Sequence, residues 1–197
     1  VSYTTRAARI LTEVFQPPAV ISGLFLAAGF LGSGWDGMAS GAVAALFMCI
    51  LPWAAVIVLA RIGRLTDHHV GEKKQRVPVL LATLGSTSVG VVLLLMMGAP
   101  LQVFAVLVAF VIGIVFMMSV SPFWKISGHA TTLGGSAAIA VLLFGPAAFW
   151  VMALPPLVSW SRVRLQDHSS SQVLAGGVAG PLVIGAAFAL TLALGPA

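Results

Sequence analysis

The sequence predicts an all-α fold: a polytopic membrane helix bundle of six or seven transmembrane helices, preceded by a short interfacial N-terminal helix. Three observations carry this. Only 8% of the 197 residues are charged and 59% are apolar, whereas about a quarter of a soluble domain is charged. The mean hydropathy is +1.08. The few charges are bunched, which leaves charge-free runs of 22 residues (14–35), 24 (37–60), 48 (77–124), 36 (126–161) and 30 (168–197). About 20 apolar residues at 1.5 Å each cross a bilayer. This composition excludes a disordered chain, a disulfide scaffold and an ordinary cytosolic enzyme.

Residues 1–16 set Arg6, Arg9 and Glu13 among Ile10, Leu11, Val14 and Phe15. That pattern suits a short helix lying in the interface until Pro17-Pro18 breaks it. The first apolar stretch lacks a small-residue cleavage site followed by a polar region, so it does not read as a cleaved signal. Helices are expected near 18–34, 38–60, 77–97, 101–120, 129–144, 146–160 and 171–194. Gly32-Ser33-Gly34, Gly98-Ala99-Pro100 and Gly145-Pro146 mark the breaks. The two helices beside Gly145-Pro146 would have about 15 residues and span roughly 22 Å, short of the ~30 Å core. One long tilted helix is the competing reading there. No repeat or low-complexity linker divides the chain, so residues 1–197 read as one domain. Cys49 is the only cysteine and says nothing of redox compartment.

Seven crossings place all ten Lys and Arg residues and all four His at one end, with Asp36 nearly alone at the other. The positive-inside rule puts the basic end in the cytosol. Arg61 and Arg64 read as snorkelling anchors, Lys73-Lys74 as headgroup contacts, and Trp35, Trp124 and Trp160 as an interface belt. Gly134-Gly135, Gly176-Gly177 and Gly180 read as sites of close helix packing.

Three polar segments meet on the basic face: 61–78, 125–132 and 161–172. Cations with histidines at a membrane surface suit an anionic group carried by a lipid. Arg offers a bidentate fork to phosphate, Lys a point charge, and a helix starting at Ser127-Gly128-His129 aims backbone N–H groups at an anion. No P-loop, dinucleotide fingerprint or nucleic-acid motif is present.

Ser127-Gly128-His129, followed by Ser161-Arg162, five residues, His168, three residues and Gln172, resembles the type 2 phosphatidic acid phosphatase superfamily of membrane lipid phosphatases. That family's second and third motifs read P-S-G-H and S-R-x5-H-x3-D. Gln75-Arg76-Val77-Pro78 resembles a loosened form of its first motif, K-x6-R-P. The likeness covers roughly residues 60 to 185. It implies that His168 is the nucleophile, forming a phosphohistidine, and that His129 protonates the leaving oxygen. Arg76 and Arg162 would hold the phosphate with Ser127, the Gly128 backbone and Ser161; His69 stands where the family has lysine. Val77 splits the Arg-Pro pair and Ile126 replaces the proline before Ser127. Gln172 replaces the aspartate that orients the nucleophile, and Asp167 is a possible substitute from another angle. The two histidines share a site only if an even number of crossings separates them, which favours two short helices over one long one.

The resemblance therefore implies metal-independent hydrolysis of a lipid phosphate or diphosphate, with no cofactor, in a bacterial plasma membrane. An isoprenoid phosphate is the expected substrate, with phosphatidic-type lipids left open. Two alternatives stand beside it. One is a prenyl-diphosphate transferase or cyclase holding Mg²⁺ through Asp67, His68, His69 and Glu72. The other is a lipid-phosphate binder without turnover. The expected partners are the lipid substrate and the bilayer, with no nucleic acid.

Overall fold

In the computed structural model, which describes residues 3–66 and 72–195, every regular element is helical and no strand occurs among the described residues. α1 (Tyr3–Val14) packs on a later helix through Ala8 and Thr12 and leaves Tyr3, Ile10 and Val14 exposed. α2 (Pro17–Ala45) starts on two prolines, whose missing N–H groups cost little in a first turn. Its path reverses at Ser33 (φ −153°, ψ 38°) and Gly34 (φ +63°, ψ −138°), a conformation cheap only for glycine. The two arms then fold back with their backbones touching. A Cβ on Gly29 would run into the Gly37 carbonyl, and one on Gly41 into the Phe25 carbonyl. The second arm passes through a π-helical turn, Leu46–Ile50, into α3 (Leu51–Arg61), next to Pro52.

α4 (Lys73–Met96) begins a turn earlier than the expected 77–97, with Pro78 inside it. So close to the helix start, the proline forfeits one i→i−4 bond without breaking the rod. Arg76 therefore stands on a helix rather than in a loop. Gly98 (φ +62°) and Pro100 turn the chain into α5 (Leu101–Val120), and Gly145 (φ +74°) closes α6 (Gly128–Phe144).

On either side of Gly145 two rods form, not one long helix. The second is a 3-10 stretch, Pro146–Ala153, continued by α7 (Leu154–Arg164). A 3-10 helix rises about 2.0 Å per residue, so this rod reaches ~32 Å. The rod has 19 residues where about 15 were expected, and as a plain α-helix it would reach ~28 Å, so the 3-10 stretch adds only ~4 Å. α8 (Ser170–Ala179) runs through a second π-helical stretch, Gly180–Gly185, into α9 (Ala186–Leu194).

The core joins α2, α5, α6 and α9 through Phe25, Val106, Phe110, Ile139 and Phe188. Outside it, Leu95, Met96, Leu174, Leu182 and Leu190 are exposed. The stretches Pro17–Arg61, Lys74–Met96, Leu101–Val120 and Ser170–Leu194 are long and apolar enough to cross a membrane. So much outward apolar surface needs an apolar solvent, and the chain is an integral membrane protein.

Candidate functional site

Described residues of the three polar segments, Arg76, Lys125 to His129 and Arg162 to His168, come together at one end of the bundle. Arg76, in the first turn of α4, is buried, and its Nη1 donates to the Ile126 carbonyl at 3.1 Å. This ties the first polar segment to the loop that leads into α6. Ser127 caps α6, its Oγ accepting the Ala130 N–H at 3.4 Å, and its own N–H donates to the Gln172 carbonyl at 3.2 Å. His129, in that first turn, is buried.

α7 ends in a Schellman turn. The Gln166 N–H bonds the Val163 carbonyl, and the Asp167 N–H bonds the Arg162 carbonyl, with Gln166 at φ +61°. The His168 N–H also reaches the Arg162 carbonyl, at 3.3 Å. This turn carries the chain from a buried Arg162 to a buried His168 within six residues. Nη1 of Arg162 lies 3.2 Å from Oδ2 of Asp167.

The surroundings of His168 define its tautomer. Its Nδ1 is 3.2 Å from the Lys125 carbonyl and 3.1 Å from Oε1 of Gln172. The amide orientation of Gln172 is fixed independently, because Oε1 also accepts the Ser169 N–H at 3.2 Å in the capping box that starts α8. Both neighbours of Nδ1 are acceptors, so Nδ1 carries the proton and Nε2 the lone pair. Burial lowers the pKa of His168 from 6.5 to about 4. The Gln172 hydrogen bond opposes that shift, and Arg162, Arg76 and Lys125 add to it. The imidazole is neutral at pH 7.

A cavity of about 500 Å³ opens among these groups. Arg76, Lys125, His129, Arg162, Asp167 and His168 line its polar end; Met48, Cys49, Phe110, Gly113 and Ile184 line its depth. Ser121 to Phe110 along α5 is about three turns, or ~16 Å. Both π-helical stretches contribute to the deep wall, through Met48, Cys49 and Ile184. Three cations face one carboxylate among the described lining residues, a net charge of two positive. The shape and charge suit a doubly charged anion on an apolar tail.

Of the residues singled out from the sequence, His168, His129, Arg76, Arg162 and Gly128 line this cavity. Gln172 and Ser127 stand behind it as supports. Ser161 does not join them: its Oγ donates to the Val158 carbonyl at 2.7 Å and lies 3.0 Å from the Thr12 Oγ1. Its hydroxyl thus serves the contact between α7 and α1. His69 lies outside the described residues, as do Asp67 and His68 of the magnesium alternative. Lys125 was missed as a site residue, although it is the only charge between Arg76 and Arg162. Arg61 and Arg64 are exposed, unlike Arg76 and Arg162.

Comparison with protein-family models, curated proteins and solved structures finds no match to this chain.

Proposed function

We propose that this protein is a metal-independent lipid phosphatase of the type 2 phosphatidic acid phosphatase kind, acting on an isoprenoid phosphate or diphosphate. The observation that carries the reading is the neutral His168, which donates from Nδ1 to two carbonyl oxygens beside a cationic cavity with an apolar depth. Nε2 of His168 attacks the terminal phosphorus; the P–N bond forms as the P–O bond to the leaving group breaks, the ester bond of a monophosphate or the bridging bond of a diphosphate. His129 gives its proton to the departing oxygen. Water then attacks the phosphohistidine and returns a proton to His129, and the P–N bond breaks to release phosphate. Arg76, Arg162 and the Gly128 backbone stabilise the charge on the equatorial oxygens. The exposed Arg6, Arg9, Arg61 and Arg64 support placing this end of the bundle on the cytosolic side of a bacterial plasma membrane.

The test is phosphate release by detergent-purified protein, with EDTA present, from farnesyl and longer polyprenyl phosphates, their diphosphates and phosphatidic acid. His168→Ala is expected to abolish turnover, and His129→Ala to lower it about 10²–10⁴-fold. Full activity in His168→Ala, or no turnover of any of these lipids by the wild type, defeats the proposal.

A further inference from the structure

Ser121 follows α5, with its N–H on the Met117 carbonyl at 2.9 Å and its side chain fully buried. Its Oγ has no hydrogen-bond partner among the described residues. That is unusual, because leaving a buried hydroxyl without a partner costs the full desolvation of the group. It is also unusual for this chain. Ser22, Thr83, Thr87, Ser88 and Thr191 each donate to the carbonyl four residues back, and the Met117 carbonyl stands at that place for Ser121. Ser121 does not take it. It lines the same cavity as Arg76, Lys125, His129 and His168.

We propose that Ser121 is a substrate-contacting residue whose hydroxyl donates to a phosphate oxygen of the bound lipid, in a cradle shared with Lys125. The assignment rests on the phosphate-site reading above and adds to it a donor that none of the three sequence motifs contains. A buried hydroxyl without a partner among the described residues, at the wall of a cationic cavity, can turn about χ1 to an acceptor in that cavity, and the unprotonated oxygens of a phosphate are acceptors. Ser136 supplies the internal contrast. Its Oγ is likewise buried and without a partner among the described residues, but it does not line the cavity.

The experiment is thermal unfolding of the full chain in detergent over a series of inorganic phosphate concentrations, for wild type, Ser121→Ala and Ser136→Ala. Phosphate is expected to raise the wild-type Tm. Ser121→Ala should leave the phosphate-free Tm unchanged or higher and weaken the apparent phosphate Kd about tenfold or more. Ser136→Ala should leave that Kd alone. If phosphate shifts wild type and Ser121→Ala alike, the Ser121 assignment is overturned while the phosphate site stands. A lower phosphate-free Tm in Ser121→Ala overturns it too, by showing a structural role. If phosphate does not shift the wild type at all, the phosphate-site reading falls and takes this one with it.

Discussion

Oε1 of Gln172 accepts the Nδ1–H of His168 at 3.1 Å while also accepting the backbone N–H of Ser169 at 3.2 Å. One amide oxygen thus joins the start of α8 to the imidazole, where a carboxylate would have added charge. Replacing it with a carboxylate should keep the geometry, since Glu at this place completes the same capping box. Gln172→Glu is expected to raise the pKa of His168 by about one to three units. On the proposed mechanism the acid limb of kcat/KM reports His168 taking up a proton, and it should move to higher pH by that amount. Comparing wild type with variant on one substrate cancels the titration of the substrate itself. An unmoved acid limb would count against His168 as the base of that limb.

The Lys125 carbonyl limits how much Gln172 alone can matter. It holds the same Nδ1–H at 3.2 Å, so Gln172→Ala leaves the tautomer in place. We expect a loss of about tenfold or less, the worth of one neutral hydrogen bond, set against complete loss in His168→Ala. A loss in Gln172→Ala near the ~10⁴-fold typical of a missing triad carboxylate would show that Lys125 does not share the task.

The depressed pKa of His168 also makes stability depend on pH. Its folded value, about 4, lies below the ordinary 6.5. Between those values the unfolded chain binds a proton that the folded chain refuses, so stability is lost as pH falls through this window. Tm in detergent should therefore decline from pH 7 to pH 4, and His168→Gln should flatten part of that decline. An identical slope in the variant would mean that His168 is not desolvated as its position requires.

Much of the fold could be read from the sequence because bilayer physics writes itself as charge-free runs. The reversal at Ser33-Gly34 was legible for the same reason as the turns at Gly98 and Gly145: positive φ selects glycine. The 3-10 conversion of 146–153 was not legible, since its apolar residues fit either helical rise. In the site, side chains with motif spacing were found, while the Lys125 carbonyl was not, because every residue has a carbonyl and only folding selects one. Ser161 shows the converse. It has the right spacing, yet its hydroxyl is taken by Val158 and Thr12, contacts that depend on where α1 lands.

The glycines between α6 and the α8 rod hold the two histidines in register. A Cβ on Gly180 would run into the Thr131 carbonyl and lie 2.7 Å from the Gly135 nitrogen; one on Gly176 would lie 2.7 Å from the Ser127 carbonyl. These are backbone atoms and cannot rotate away. A Cβ on Gly177 meets nothing within 4 Å. Gly176→Ala and Gly180→Ala are thus expected to lower Tm and cut turnover by more than tenfold. Gly177→Ala should leave activity unchanged and raise stability by about 0.5–1 kcal/mol through helix propensity. Equal tolerance at the three positions would show that α6 and α8 do not pack this closely.

Gln166 carries the remaining strain near the site. At φ +61° it is the only described residue other than glycine with positive φ, and it occupies the position where Schellman turns favour glycine. Its side chain is exposed and does not line the cavity. Gln166→Gly should therefore relieve a left-handed conformation that costs about 1–2 kcal/mol in non-glycine residues, less the entropy glycine adds to the unfolded chain. A Tm equal to or above wild type, with kcat unchanged, is the expected outcome. Gln166→Val is the opposing test, because a β-branched side chain is least tolerant of positive φ. It should lower Tm and displace His168, two residues on, so kcat should fall with it. Should Gln166→Val match wild type in both, the turn that carries Arg162 into His168 has another backbone conformation.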